Sequence, residues 1–435
     1  MRGSSLSSPE IIRYCRLEAK PARLMAGFIT AQVVAFSVYL IATQGSDPGK
    51  QLAQQILWLQ AVILGGYAAV RSVASVVEER AAKTWDFQRL TPLTSWDLAW
   101  GKFAGAPIFA YFLTAVLTPW AIFGTAVARD FSWAQLWDWS AILIAGSFGS
   151  IAVGLFVSSY TDTTKGRQGN LGIFLTIWFL AHLFTALARQ GKIVHFYGWD
   201  VFPRYFYSLT AAVFGFWALA GATWRIGQDL QEGEAFWRLP AFMVFLSWYM
   251  LGIEELTKPW GAAYLLWIPA MLLYAASLWT RYGHDDVRRW QLAATSRQAL
   301  DRAPIWLIGL ATLILLALAT ASRIAFQGEA SLRSLVLIPT FAARDLMFLQ
   351  WCRLGRSRRP ETMALAYWAL AYVVPAAILG AFQATRYICW FAPNANMQVD
   401  ATWNLLPPLL EAAVMKVALW VRIRRMGAEF SSATG

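Results

Sequence analysis

The sequence predicts an all-α polytopic membrane protein, and three observations carry that prediction. First, 58% of the 435 residues are hydrophobic and only 14% are charged, against roughly 25% charged in soluble domains; the mean hydropathy is +0.44. Second, apolar runs long enough to cross about 30 Å of hydrocarbon, roughly 17 to 25 residues each, recur along the whole chain. Third, 24 residues are Trp, whose indole ring favours the boundary between lipid and water. Helices are the spanning form these runs imply, because backbone groups in lipid must pair within their own segment, and barrel strands alternate instead of running apolar.

Twelve spans are expected. The first six are Leu24–Ala42, Ile56–Val77, Phe103–Val127, Trp137–Ser159, Leu171–Ala188 and Tyr207–Trp224. The second six are Ala241–Leu256, Gly261–Thr280, Ile305–Ala321, Ser334–Cys352, Ala364–Phe382 and Asn404–Val421. Lys and Arg collect in cytoplasmic loops, and with the N-terminus inside, 25 of the 37 fall in cytoplasmic segments and 9 in outer loops. The other three, Arg71, Arg344 and Lys416, lie within spans. Both termini are therefore expected in the cytoplasm. Ala241–Leu256 is the weakest span, but without it Arg281–Arg302, Arg353–Arg359 and Arg422–Arg425 would all face outward with twelve positive charges. The net charge of +12 then reflects topology and anionic lipid headgroups, at about 1 kcal/mol per basic residue near the surface, and calls for no nucleic acid. Cys15, Cys352 and Cys389 are too scattered for a disulfide framework or a metal site.

Three segments follow from this walk: a charged cytoplasmic interfacial segment over 1–23, without the features of a removable signal peptide, a six-span unit over 24–239 and a second six-span unit over 240–435. In each six, a long cytoplasmic stretch follows the second span, 78–102 and 281–304, and the connections 160–170 and 353–363 are also alike. Glu78-Glu79 before Trp85 is echoed by Asp285-Asp286 before Trp290. Two parallel six-span units or an accidental matching of loops both account for this.

The segment 78–102 is the most informative in the chain, because short connections are all that two spans need. From Glu79 to Leu90 most residues are helix formers, with Trp85, Phe87 and Leu90 apolar. Thr91-Pro92 interrupts the pattern, since the residue before proline is pushed out of the α region. Thr94 or Ser95 then caps a second short helix near Trp96. Two short helices bent at a proline make an aromatic knob suited to a cleft in a cytosolic partner, or else an amphipathic strip lying among headgroups.

Glu-Glu-Arg at 78–80, Lys-Thr-Trp-Asp-Phe at 83–87, Leu-Thr-Pro-Leu-Thr-Ser-Trp-Asp at 90–97 and Gly-Lys at 101–102 together resemble the coupling-helix segment of ABC-2 type transporter permeases. The matching positions are Glu78, Arg80, Thr84, Phe87, Leu90, Thr91, Pro92, Leu93, Ser95, Gly101 and Lys102; Glu79 and Trp85 share the segment, while Trp85, Asp86 and Gln88 depart from the usual pattern. Residues 8–18 likewise resemble the interfacial helix before that family's first span. The resemblance covers 8–128, extends in topology to about 239, and beyond that is one of hydropathy. It implies an ABC-2 transmembrane fold in the first unit and a permease in a bacterial inner membrane, exporting a hydrophobic or amphipathic compound. A separate cytosolic ATPase would carry ATP and Mg, and this chain would bind no cofactor. A second copy or related permease would complete the assembly unless the two halves form a pseudo-dimer.

A motor is absent from the sequence: Gly49-Lys50, Gly101-Lys102 and Gly191-Lys192 are followed by Gln, Phe and Ile, so no phosphate-cradling loop occurs. His182, His195 and His284 stand apart, and neither His-Glu-x-x-His nor Gly-x-Ser-x-Gly is found; the chain is not expected to be an enzyme. Charges within spans mark functional hypotheses. Arg71 is expected to snorkel to the interface; Arg344 and Asp345 to pair with other helices; Glu411 and Lys416, after Pro407-Pro408, to form a polar interior feature. That last pair also suits a rival, an ion-coupled twelve-span transporter with Glu411 or Glu254 protonatable. A non-transporting membrane scaffold is the third class. The outer segment 189–206, rich in aromatics, suits either a cover on the exit side or an interfacial loop.

Overall fold

The apolar runs fold as helices. A computed structural model of the chain describes residues 9–82, 93–160, 193–230, 236–253, 263–280, 282–293, 295–324, 329–355, 359–382, 391 and 401–433. Among these, seven helices are long and apolar enough to cross a membrane: Pro21–Ala42, Pro48–Ala81, Ser95–Val127, Trp133–Tyr160, Pro203–Asp229, Arg333–Arg353 and Pro360–Leu379. Arg238–Leu251, Leu265–Leu278 and Ile305–Ala321 are shorter apolar helices. The expected fifth span, 171–188, lies outside the described residues, and the expected last span falls within a helix over Ala401–Ala433. The chain is a mostly helical protein of membrane-spanning character. It divides into two compact units, Met1–Val194 with Asp200–Gly233, and His195–Trp199 with Glu234–Gly435.

The first unit contains α1 (Pro9–Glu18), α2 (Pro21–Ala42), α3 (Pro48–Ala61), α4 (Ala68–Ala81), α5 (Ser95–Gly105), α6 (Ile108–Val127), α7 (Trp133–Tyr160) and α8 (Pro203–Asp229). Pro21, Pro48 and Pro203 open their helices, where a missing N–H costs nothing. Helix α2 buries Gly27, Ala31, Ala35 and Ala42 and exposes Met25, Phe28, Val33, Phe36 and Ile41. Small residues inside and large apolar ones outside is the pattern of helices solvated by lipid.

Helix α3 passes into α4 through a π-helical segment, Val62–Tyr67. At that point the long helix changes neighbours: α3 packs on α6, whereas α4 packs on α7. Approach is closest between α3 and α6, where a Cβ on Gly49 would lie 2.4 Å from the Ala128 amide nitrogen and one on Gly124 2.7 Å from that of Ala53. Between the same helices Gln60 Nε2 donates to the Thr114 carbonyl and the Thr118 hydroxyl, both at 3.1 Å.

Asp47 caps α3 by accepting from the Lys50 amide at 3.1 Å. Its other oxygen accepts from the amides of Arg129 at 3.1 Å and Asp130 at 2.9 Å, in the connection from α6 to α7. The Asp130, Lys50 and Arg129 amides hold its carboxyl below the usual carboxylate value. A lowered folded value means that the clamp contributes fully above the unfolded pKa, about 4, and is lost as pH falls through the folded one. Asp47→Ala is expected to speed hydrogen exchange of the Arg129 and Asp130 amides at neutral pH. Exchange as slow as in the unaltered protein would refute the clamp.

The second arm of the hairpin begins with Thr94, whose hydroxyl accepts from the Asp97 amide while the Asp97 carboxylate accepts from the Thr94 amide. This is a capping box. Helix α5 then runs past Phe103, where the third span was expected to start, and only Ala106 and Pro107 separate it from α6. The first arm differs from expectation: Glu78, Glu79 and Arg80 form the last turns of α4 and not a separate short helix, because the helix-forming run Ala68–Ala81 continues the span without a breaker. Residues 83–92, which hold Thr84, Trp85, Phe87, Leu90, Thr91 and Pro92, lie outside the described residues.

A hairpin of two short strands, β1 (Val194–Phe196) and β2 (Trp199–Val201), turns through Tyr197 and Gly198, at φ 53° and 78°. Positive φ at both central residues is what a two-residue hairpin turn of type I′ requires. Tyr197 adopts it while its amide donates to the Gly252 carbonyl at 2.8 Å and its hydroxyl to that of Trp248.

The second unit contains α9 (Arg238–Leu251), α10 (Ala263–Trp279), α11 (His284–Gln291), α12 (Ser296–Asp301), α13 (Ile305–Ile324), α14 (Glu329–Arg353), α15 (Pro360–Ala381) and α16 (Ala401–Ala433). Met243, Leu266, Leu273, Leu313, Ile338 and Leu346 form its main core. Helix α9 ends at Leu251, short of the expected Leu256, where Gly252 caps it and Ile253 bridges to Phe196. The stretch expected to echo the first hairpin folds into the two short helices α11 and α12.

Candidate functional site

Helix α1 turns Glu10, Tyr14 and Glu18 to one side, and these are its buried residues. Helix α5 meets that side with two glycines. A Cβ on Gly101 would lie 2.4 Å from Glu10 Cγ, and one on Gly105 3.0 Å from Tyr14 Cβ. The glycines let the two backbones close until Lys102, 0% exposed, reaches both acids.

Lys102 Nζ donates to Glu79 Oε2 and lies 3.6 Å from Glu10 Oε1. Arg13 pairs with Glu10 at 2.8 Å and also with Glu79, and the Tyr14 hydroxyl donates to Glu79 Oε1 at 3.2 Å. Two carboxylates thus face two cations, and the cluster is neutral in sum. Burial pushes the Glu10 carboxyl above its usual range, with Lys102 and Arg13 opposing. Burial, aided by the charge of Glu79, also raises the Tyr14 phenol. For Arg13, burial draws the guanidinium down but Glu10 and Glu79 outweigh it, so it stays charged.

Successive helical residues point about 100° apart, so Glu78, Glu79 and Arg80 engage three different neighbours. Glu78 lies 3.5 Å from Arg71, which is held at 2.6 Å by Glu18. Arg71 is thereby an ion-paired residue whose guanidinium reaches the carboxylate that α1 brings to it. Arg23 adds a second partner for Glu18 and donates to the Tyr67 hydroxyl at 3.1 Å. Arg80 pairs with Asp229 on α8 at 2.7 Å and donates to the Ser159 carbonyl on α7 at 2.8 Å.

Of the remaining expected coupling residues that are described, Ser95 is buried and Leu93 packs on the main core of the unit. Gly101 and Lys102 face α1. Trp96, 46% exposed, stacks on Trp100 at 5.9 Å, which stacks on Phe103 at 5.4 Å, which meets Phe148 edge-on at 5.2 Å. A continuous aromatic ladder therefore leads from the hairpin's surface to α7. Sequence reasoning did not single out Glu10, Arg13, Tyr14, Glu18, Asp229 or Trp100; the spacing of Glu10, Tyr14 and Glu18 by four was the available signal.

The second unit holds its own buried charges. Arg344 is 2% exposed and Asp345 0%. Arg344 Nε donates to Asp345 Oδ1 at 2.8 Å, and Nη1 to Glu411 Oε2 at 2.6 Å. Both neighbours pair with other helices, as expected, Arg344 with Glu411 on α16 and Asp345 with Tyr274 on α10 and Tyr372 on α15; in addition the guanidinium folds back along α14 to its own neighbour. The hydroxyls of Tyr274, at 2.7 Å, and Tyr372 donate to Asp345 Oδ2. Lys416 is exposed and has no part in this cluster.

Cys15 and Cys352 are free thiols, and among the described residues no group of three or more His, Cys, Asp or Glu is placed to hold a metal ion. No family model, curated protein sequence or solved structure matches the chain.

Proposed function

We propose that the chain is the membrane-spanning permease subunit of an ATP-driven transporter of the ABC-2 type, an exporter whose separate cytosolic ATPase docks on the hairpin 78–102. The observation that supports this reading best is the mounting of the hairpin's base. Glu79 and Lys102, one in each arm, are bonded to each other and to α1, and Arg80 fastens the first arm to α7 and α8. A push on the tip of such a hairpin moves several helices together, which is what coupling requires.

In this reading both termini are cytoplasmic in a bacterial inner membrane, ATP and Mg bind the partner, and the chain itself holds no cofactor. A second copy or related permease completes the transporter unless the two halves act as a pseudo-dimer; lipids surround it and nucleic acid has no role. One observation favours an alternative, an ion-coupled transporter: the cluster of buried Arg344 and Asp345 with the partly exposed Glu411 within the second unit.

Co-purification from native membrane decides between them. An ATP-binding subunit is expected at a stoichiometric level with the unaltered chain, and at least tenfold less with Trp85→Asp or Leu90→Asp. Undiminished export in cells lacking that subunit would reject the ATP-driven reading.

A further inference from the structure

The Arg344 cluster contains buried donors that lack acceptors. Arg344 Nη2 is buried without a hydrogen-bond partner, and so is Trp368 Nε1. Both belong to the same neighbourhood: the Trp368 ring lies 5.1 Å from that of Tyr274, and the Tyr274 hydroxyl and Arg344 Nε both bond Asp345. Asp345 already receives three donors, Tyr372 being the third. Guanidinium and indole nitrogens donate only, and buried donors without acceptors call for a missing oxygen.

The two carboxylates on Arg344 are not alike. Asp345 is fully buried and bonded by three donors, whereas Glu411 is 39% exposed on α16. Arg344 is also held against the rings of Phe341 at 4.6 Å and Tyr372 at 5.2 Å, which fixes its plane whether or not Glu411 is present. The helix that carries Trp368 and Tyr372, α15, also exposes the large apolar side chains Leu370, Val373 and Ile378.

We propose that Arg344 is a binding site for the carboxylate or phosphate headgroup of an amphipathic anion, with Glu411 as the built-in occupant that the ligand displaces. A planar guanidinium suits either oxyanion, and the indole N–H of Trp368 supplies a further donor. The site is independent of the hairpin and of any ATPase.

The test uses full-length protein in nanodiscs of phosphatidylcholine, titrated with cis-parinaric acid, a fluorescent fatty carboxylate. Glu411→Gln is expected to bind at least ten times more tightly than the unaltered protein, because the competing charge is gone. Arg344→Gln is expected to lose saturable binding. Trp368→Phe, which keeps the ring and removes the N–H, should weaken it several-fold. No saturable binding in either the unaltered protein or Glu411→Gln overturns the proposal and leaves a water as the missing acceptor. Equal affinity in the unaltered protein, Glu411→Gln and Trp368→Phe overturns it too, even where Arg344→Gln fails to fold. Adding phosphatidylglycerol to the nanodiscs separates two supporting outcomes: competition identifies a lipid phosphate as the resident ligand, and its absence a free carboxylate.

Discussion

Lys102→Met is expected to destabilise the first unit by about 3–5 kcal/mol, the loss seen when one member of a buried ion cluster is removed. The fully buried ammonium contacts Glu79 and lies 3.6 Å from Glu10, so its removal leaves two enclosed carboxylates with only Arg13 between them. Helix α1 should then detach from α5, read as protease cleavage within residues 9–18 and a lower unfolding temperature in detergent. Adding Glu79→Leu to Lys102→Met restores balance, one carboxylate to one guanidinium, and should recover most of the loss. A double variant as unstable as the single one would show that shape and not charge holds this corner.

Gly124→Val should be of comparable severity for a different reason. Its first added carbon would meet backbone, the Ala53 nitrogen at 2.7 Å and the Gly49 carbonyl oxygen at 3.0 Å, and backbone cannot rotate aside as a side chain does. Overpacking of well-packed sites usually costs about 1–3 kcal/mol and occasionally more; here α3 and α6 must separate along their contact, so the upper end or beyond is expected. Gly66→Ala is the matched control, since nothing lies within 4 Å of the added carbon, and should change stability by less than about 0.5 kcal/mol. Equal thermal shifts for the two variants would refute the close approach.

Apolar length made the helices legible in advance, which is why the runs at 24–42, 103–127 and 137–159 coincide with observed helices. The ends were less legible. Ala241–Leu256 reads as one run by hydropathy, yet Gly252 stops the helix and the backbone beyond it turns to pair with Phe196. At the hairpin, Thr94 as a cap was readable because capping is local. The roles of Gly101 and Lys102 were not, because a glycine seat and a buried ammonium have meaning only once α1 lies across them. The partner of Arg71 was illegible for the same reason, since Glu18 arrives from 53 residues away. Arg344 and Asp345 do diverge to other helices, as adjacent helical residues are expected to; what adjacency concealed is that a long guanidinium side chain also reaches its own neighbour.

The π-helical segment Val62–Tyr67 has a consequence for how this chain can vary through evolution. Such a segment is an α-helix with one residue too many, and that residue turns everything after it by about 100°. It is therefore what sends Leu52 and Ile56 toward α6 but Ala69 and Val76 toward the core shared with α7. A descendant that lost one residue between 62 and 67 would keep every apolar side chain of the span, and a composition or hydropathy profile would barely register the change. Its α4 would nevertheless present another face to α7, and Glu78, Glu79 and Arg80 would each point at the wrong neighbour. Selection at this place acts on the number of residues more than on their kind, so gaps here should be rarer than substitutions across the lineage.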